Sequence, residues 1–151
     1  MPGPYVIRDV ALLLSLDKKD AVIDDADVGA KEVQCVFLVK NYTDCGSTKD
    51  WKKGLLVKEA IASCSPGMQT GLARGTAIAT FNKDGKYASN PKGNHACFFI
   101  EEQKDGSGFL VLEQHVDPHP DKIQMRVLKY KGVPDGGKIQ VDNGDCYSVI
   151  L

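Results

Sequence analysis

The sequence predicts an α+β fold, with helices first and an antiparallel sheet after them. Three observations carry this. Asp9–Leu16 is rich in helix formers and Lys49–Val57 is a further helical candidate, whereas the runs rich in Val, Ile, Phe, Thr and Tyr accumulate after Gly67. Those later runs are divided by short Gly, Asn and Asp clusters, the residues that make turns. Helices followed by strands, instead of the two alternating, belong to α+β architectures.

Taken in order, Asp9–Leu16 is expected to set Leu12, Leu13 and Leu16 on one apolar face. The acidic stretch Asp20–Gly29 reads as a loop. Val33–Tyr42 is apolar but too short for periodicity to separate a buried strand from a buried helix. Lys49–Val57 has Ser47 or Thr48 as its N-cap. Strands are expected at Thr76–Phe81, His95–Ile100, Gly108–Val116, Ile123–Tyr130 and Cys146–Leu151; Ile123, Met125 and Val127 alternate cleanly in the fourth. Asn82–Gly85, Lys104–Gly108, Val133–Gly137 and Asp142–Gly144 supply turns.

A chain of 151 residues, 42% hydrophobic, suits a single domain spanning residues 1–151. With a net charge of -1 and no like-charge block, nothing asks for a nucleic-acid partner. The longest apolar run, Val10–Leu14, is far short of the roughly 20 residues that span a membrane. It also lacks the flanks of a signal peptide. The chain is therefore cytoplasmic, exported by another route, or begins after a removed leader.

Five cysteines, an odd number, leave one thiol over if the rest pair, and favour an oxidising compartment. Without a C-x-x-C pair there is no zinc-ribbon or thioredoxin-type site. Cys35 opens the apolar Val33–Tyr42 run. If that run is a helix, its unpaired N–H groups would stabilise a thiolate and hold an oxyanion. His95, at the start of a strand after a Pro–Gly loop, is a rigidly held candidate base. A lone Cys and a lone His are each more often structural, so these residues by themselves leave the dyad open.

Longer motifs go further. Val28–Val39, containing Gln34-Cys35, Gly75–Phe81, Gly85-Lys86-Tyr87 and Gly93-Asn94-His95-Ala96 resemble the type VI secretion amidase effectors. The resemblance runs from about Tyr5 to Tyr130 and is to the second family, with its relatives domesticated by ticks and other animals. It implies a papain-like fold of the NlpC/CHAP type, with Val33–Tyr42 as a nucleophile helix on the antiparallel sheet. It also implies Cys35 as nucleophile and His95 as base. Bacterial relatives carry Asp-Gln-Trp where this chain has Glu113-Gln114-His115. Glu113 is thus the expected third catalytic residue, with Gln114 and His115 as alternatives for orienting His95. Gln34, Asn94, Gln114 and His115 are the expected substrate contacts, and Tyr87 and Asn90 are further candidates.

What the resemblance implies in function is a peptidoglycan-cutting, antibacterial cysteine endopeptidase. Its bond would be within the peptide stems or at the D-Ala–diaminopimelate cross-link. It would act as a monomer without cofactor, secreted or delivered to a target periplasm, with a cognate immunity protein if it is a bacterial effector. The alternative is a disulfide-stabilised module that binds cell-wall peptide and has lost the chemistry.

Of the remaining features, Cys45, Cys64, Cys97 and Cys146 are expected to pair as Cys45–Cys64 and Cys97–Cys146. The first pair would flank the Trp51 helix and stabilise by roughly 3 kcal/mol in the chain-entropy model. His115 and His119 have the spacing of helical metal ligands, but Pro118 would interrupt such a helix, so no metal is expected. Asn41-Tyr42-Thr43 is a glycosylation sequon best read as chance, and Trp51 is expected to pack in the core.

Overall fold

The first helix, α1 (Val10–Ser15), starts where the carboxylate of Asp9 accepts from the Leu12 amide at 3.0 Å. The computed structural model describes residues 3–22, 34–63, 71–87, 93–132 and 139–151. Leu13 and Leu16, three positions apart, are buried on the inner side of α1. Leu12 points out instead and is 41% exposed, so the expected three-leucine face narrows to two.

The ambiguous apolar run is helical: α2 spans Cys35–Tyr42. Val36, Phe37, Leu38 and Val39 are all buried, so the helix has no polar stripe and its periodicity carries no signal. It ends where the Thr43 amide and hydroxyl both donate to the Val39 carbonyl, at 3.1 and 2.7 Å.

The expected helix over Lys49–Val57 is not formed. A short 3-10 turn, Thr48–Asp50, leads into strand β1 (Lys53–Leu56), and only then comes α3 (Val57–Ala62). Long-range contacts override local preference here. Trp51 is buried and donates its indole N–H to the Cys45 carbonyl at 3.0 Å. Lys52 and Leu151 exchange backbone hydrogen bonds at 2.8 Å, drawing the chain out along the C-terminal strand.

The remaining strands are β2 (Ala77–Thr80), β3 (Ala96–Glu102), β4 (Gly108–Glu113), β5 (Gln124–Lys129) and β6 (Tyr147–Ile150). Each lies within or near an expected run. Together with β1 they form one six-stranded sheet in the order β1-β6-β2-β3-β4-β5, antiparallel at every pair. Alternation along the strands builds two apolar layers. On one face Ala77, Ala79, Ala96, Phe98, Ile100 and Leu112 meet α2 and Trp51. On the other, Ile78, Phe99, Phe109, Val111, Leu128 and Tyr147 meet α3. With both faces covered, every residue of β2 is buried.

Gly75, at the entry to β2, has φ +90°, and an added Cβ would lie 2.2 Å from the Ile7 carbonyl oxygen. Only glycine lets the N-terminal segment approach there and form the 2.9 Å bond from the Ile7 amide to the Gly75 carbonyl.

The expected disulfides are corrected by this sheet. Cys45, Cys97 and Cys146 are free thiols, and Cys64 lies outside the described residues. Cys97 on β3 faces Ile78 on β2, and Ile78 faces Val149 on β6. Cys146 precedes Val149 by three residues, on the far side of β2. Two strand spacings of about 4.8 Å and three residues of rise separate the pair, beyond the roughly 7 Å a disulfide can span. Cys45 packs in the core beside the Trp51 segment, where a 3-10 turn stands in place of the expected α-helix.

Candidate active site

Cys35 is the first residue of α2, and Gln34 before it is extended (φ -135°, ψ 147°) with no side-chain cap. The thiol therefore sits at the positive end of the helix, beside first-turn amides. His95 immediately precedes β3 and is pinned to β2 through its backbone. Its amide donates to the Thr80 hydroxyl at 3.0 Å, and its carbonyl accepts from the Thr80 amide at 3.0 Å. The imidazole stands edge-on to the Tyr147 ring, centroids 6.4 Å apart, and is 5% exposed.

The Cys35 thiol and the His95 imidazole are close enough for each to shift the titration of the other. Nε2 of His95 is 2.9 Å from Oε1 of Glu113, at the end of β4. Glu113 is wholly buried and gripped by Arg126 of β5, with Nε to Oε2 at 2.6 Å and Nη2 to Oε1 at 3.0 Å. Such a two-pronged fork is the geometry that suits a guanidinium and a carboxylate. Tyr87 completes the surroundings of the sulfur. Its hydroxyl is 3.6 Å from Sγ and its ring packs edge-on against Trp51, centroids 5.1 Å apart.

The electrostatics follow. Burial alone would raise the Cys35 thiol. The hydrogen bond and charge of His95, the Tyr87 hydroxyl and the Ala96 amide outweigh it and leave the thiol below its ordinary value. Burial alone would depress His95, but hydrogen bonds and charge from Cys35 and Glu113 push it up to about 9. Burial raises the Glu113 carboxyl, and His95 and Arg126 more than reverse that. These directions favour a thiolate at Cys35 and an imidazolium at His95, backed by a carboxylate at Glu113. The other described thiols differ: burial pushes Cys45, Cys97 and Cys146 up, which favours the thiol form.

Of the residues singled out from sequence, Cys35, His95, Glu113 and Tyr87 are brought together. Gln34 is exposed beside Cys35, Asn94 is half-buried beside His95, and His115 is exposed with φ +64°. Gln114 has a different job from the substrate contact expected. Buried, its carbonyl accepts from the Val22 amide at 2.8 Å, and its NH2 donates to the carbonyls of Gln34 and Val22 at 2.6 and 2.9 Å. Both ends of the amide are engaged in holding the entry to α2. Asn90 lies outside the described residues. Among the described residues no group of three or more His, Cys, Asp and Glu side chains could hold a metal ion.

Sequence reasoning missed Arg126 and Thr80. Arg126 alternates with Ile123 and Met125, so strand patterning sets it on the face away from theirs and gives no sign of a partner. Thr80 offered no signal, since its hydroxyl matters only once β2 lies beside His95.

The family model described as "Domesticated amidase effector 2" matches residues 7–150. A "Type VI secretion amidase effector 2 protein" of Salmonella typhi is 29% identical over 134 residues, covering 85% of this chain and 92% of its own. The solved structure titled "Type 6 secretion amidase effector 2 (Tae2)" superposes with a TM-score of 0.70 at 24% identity, covering 98% of this chain and 94% of that one. The last is a likeness of fold, and the papain-like α+β arrangement expected from the sequence is the fold this chain has. With a match extending over nearly its whole length, the chain belongs to the domesticated amidase effector 2 family, and is an amidase by that membership.

Proposed function

We propose that this amidase is a cysteine endopeptidase of bacterial peptidoglycan, with Cys35 as nucleophile, His95 as general base and acid, and Glu113 orienting His95. The observation that carries the reading is the bond from His95 Nε2 to Glu113, beside a sulfur that starts a helix and whose titration His95 shifts. The Cys35 thiolate attacks a peptide carbonyl carbon, and the oxyanion is held by main-chain amides at the start of α2. As the C–N bond breaks, the His95 imidazolium gives its proton to the leaving amine. Water, deprotonated by His95, then attacks the thioester, and the acid product leaves while sulfur is restored.

Peptidoglycan as substrate rests on the amidase-effector relatives, and the D-Ala–diaminopimelate cross-link is the bond we assign. The chain acts as one domain and a monomer, outside the cytoplasm of the cell that makes it, by secretion or by delivery to a target periplasm. Its effect is antibacterial, and an immunity protein is its partner if it is a bacterial effector. The free thiols Cys45, Cys97 and Cys146 remove the disulfide argument for an oxidising compartment, so export rests on the family alone. The bond between Glu113 and His95 supports an enzyme over a binding module that has lost its third residue.

Purified sacculi incubated with the protein and with Cys35→Ala provide the test, with released fragments read by mass spectrometry. Cross-linked dimers converted to monomers by the protein alone support the proposal. Cleavage elsewhere in the stem corrects the bond, and binding by both proteins without fragments supports the module instead.

A further inference from the structure

The His95–Glu113 pair is enclosed by a ring of contacts that the dyad chemistry does not require. Glu113 is gripped at both oxygens by Arg126, whose Nη2 also donates to the Val141 carbonyl at 3.4 Å. The Tyr147 hydroxyl donates to that same carbonyl at 2.6 Å, and the Tyr147 ring returns to His95 edge-on. A buried carboxylate is costly unless paired. When Cys35 is a thiolate and His95 an imidazolium, Glu113 makes the set anionic by one charge. The Arg126 guanidinium brings it to zero.

We propose that Arg126 is a positioning residue of this site, acting through Glu113 to hold Oε1 on His95 and to balance the charge of the thiolate–imidazolium–carboxylate set. This rests on Cys35, His95 and Glu113 being the reactive groups. The other titratable groups facing Arg126 are Cys97 on β3, Tyr147 on β6 and Asp142 in the turn before β6. Cys97 and Tyr147 are kept protonated by burial, and Asp142 is exposed and paired with Lys131 at 2.6 Å. None of them can take over the balancing charge. Removing a positive charge beside the set favours its protonated forms, so thiolate formation moves to higher pH. Lysine keeps the charge and loses the fork.

The test is the pH dependence of Cys35 alkylation by iodoacetamide, read on the Cys35-bearing peptide by mass spectrometry. It uses the full chain and no substrate, so it is independent of which bond, if any, is cut. Arg126→Met is expected to move the acid limb of the profile up by about one pH unit or more, the scale of a neighbouring charge. Arg126→Lys is expected to leave the limb in place while lowering amidase turnover. An unmoved limb in Arg126→Met, with activity lost or retained, overturns the proposal and leaves Arg126 a purely structural residue. If Arg126→Met does not fold, a 13C-carboxyl glutamate label in the unsubstituted protein and in Arg126→Lys decides. A Glu113 carboxylate still ionised well below the ordinary carboxylate range in both supports the proposal. One that titrates within or above that range overturns it.

Discussion

Nε2 of His95 lies 2.9 Å from Oε1 of Glu113, which leaves Nδ1 as the ring nitrogen for the Cys35 thiol. The bond fixes the tautomer: with Nε2 carrying a hydrogen to the carboxylate, Nδ1 is free to receive the thiol proton. Replacing Glu113 by Gln preserves the shape and removes the charge. Amidase turnover is expected to fall roughly 1,000- to 10,000-fold, as when the orienting carboxylate of a triad is neutralised. Steady-state kinetics on a cross-linked stem dimer measures this, and a loss confined to KM would contradict it.

The same substitution has a stability signature. Glu113 is buried, which raises its carboxyl, but His95 and Arg126 outweigh that and hold it below its ordinary value. Its contribution is therefore present above the unfolded value and lost as pH falls through the folded one. Glu113→Gln, which strands Arg126, should cost about 3 kcal/mol at neutral pH. Urea unfolding should find that difference constant above about pH 5 and shrinking as the medium is acidified below the unfolded value. A difference independent of pH down to 2 or 3 would mean that Glu113 is not ionised in the native state.

His95 is raised to about 9, so its imidazolium is present through the neutral range and lost as pH rises through that value. The leaving amine needs that proton. The kcat/KM profile is expected to fall on its alkaline side near pH 9, and a fall near 6.5 instead would show an imidazole without its anionic neighbours.

Tyr87→Phe removes the hydroxyl 3.6 Å from the sulfur and keeps the ring against Trp51. Thermal stability should change by less than about 1 kcal/mol, while the acid limb of Cys35 alkylation moves to higher pH because one donor to the thiolate is gone. An unmoved limb would make Tyr87 packing alone.

Gln114→Ala deletes three hydrogen bonds to Val22 and Gln34. At about 1 kcal/mol for each bond, a loss of roughly 3 kcal/mol in unfolding free energy is expected. Turnover should drop as well, because the entry to α2 is released. Stability lost with turnover intact would show that Cys35 needs no such anchor.

Five strands were legible because turn residues bracket them and their Val, Ile, Phe and Tyr content needs no partner to be read. β1 was not. Its pairing of Lys53 with Ile150 is long-range, and its Gly54 matters only because an added Cβ would lie 2.9 Å from the Val149 carbonyl oxygen. α2 was invisible to periodicity because its first turns are buried all round, and the likeness of the Gln34-Cys35 segment to a known motif supplied what patterning lacked. The cysteines misled: an odd number in a small chain reads as a disulfide framework, while burial accounts for Cys45 and Cys97 as small apolar residues. In the site, Cys35 and His95 could be nominated from motifs. Arg126 could not, because its place beside Glu113 depends on the register of β4 against β5.

His95, Glu113 and Arg126 stand on or beside three successive strands, β3, β4 and β5, each paired with the next. Their mutual bonds are made inside that meander and use no atom of sulfur, which arrives on a separate helix. The nucleophile and the groups that support its base are therefore carried by separate elements of the fold. A change at position 35 alone would remove the nucleophile and leave the bonds among His95, Glu113 and Arg126 in place.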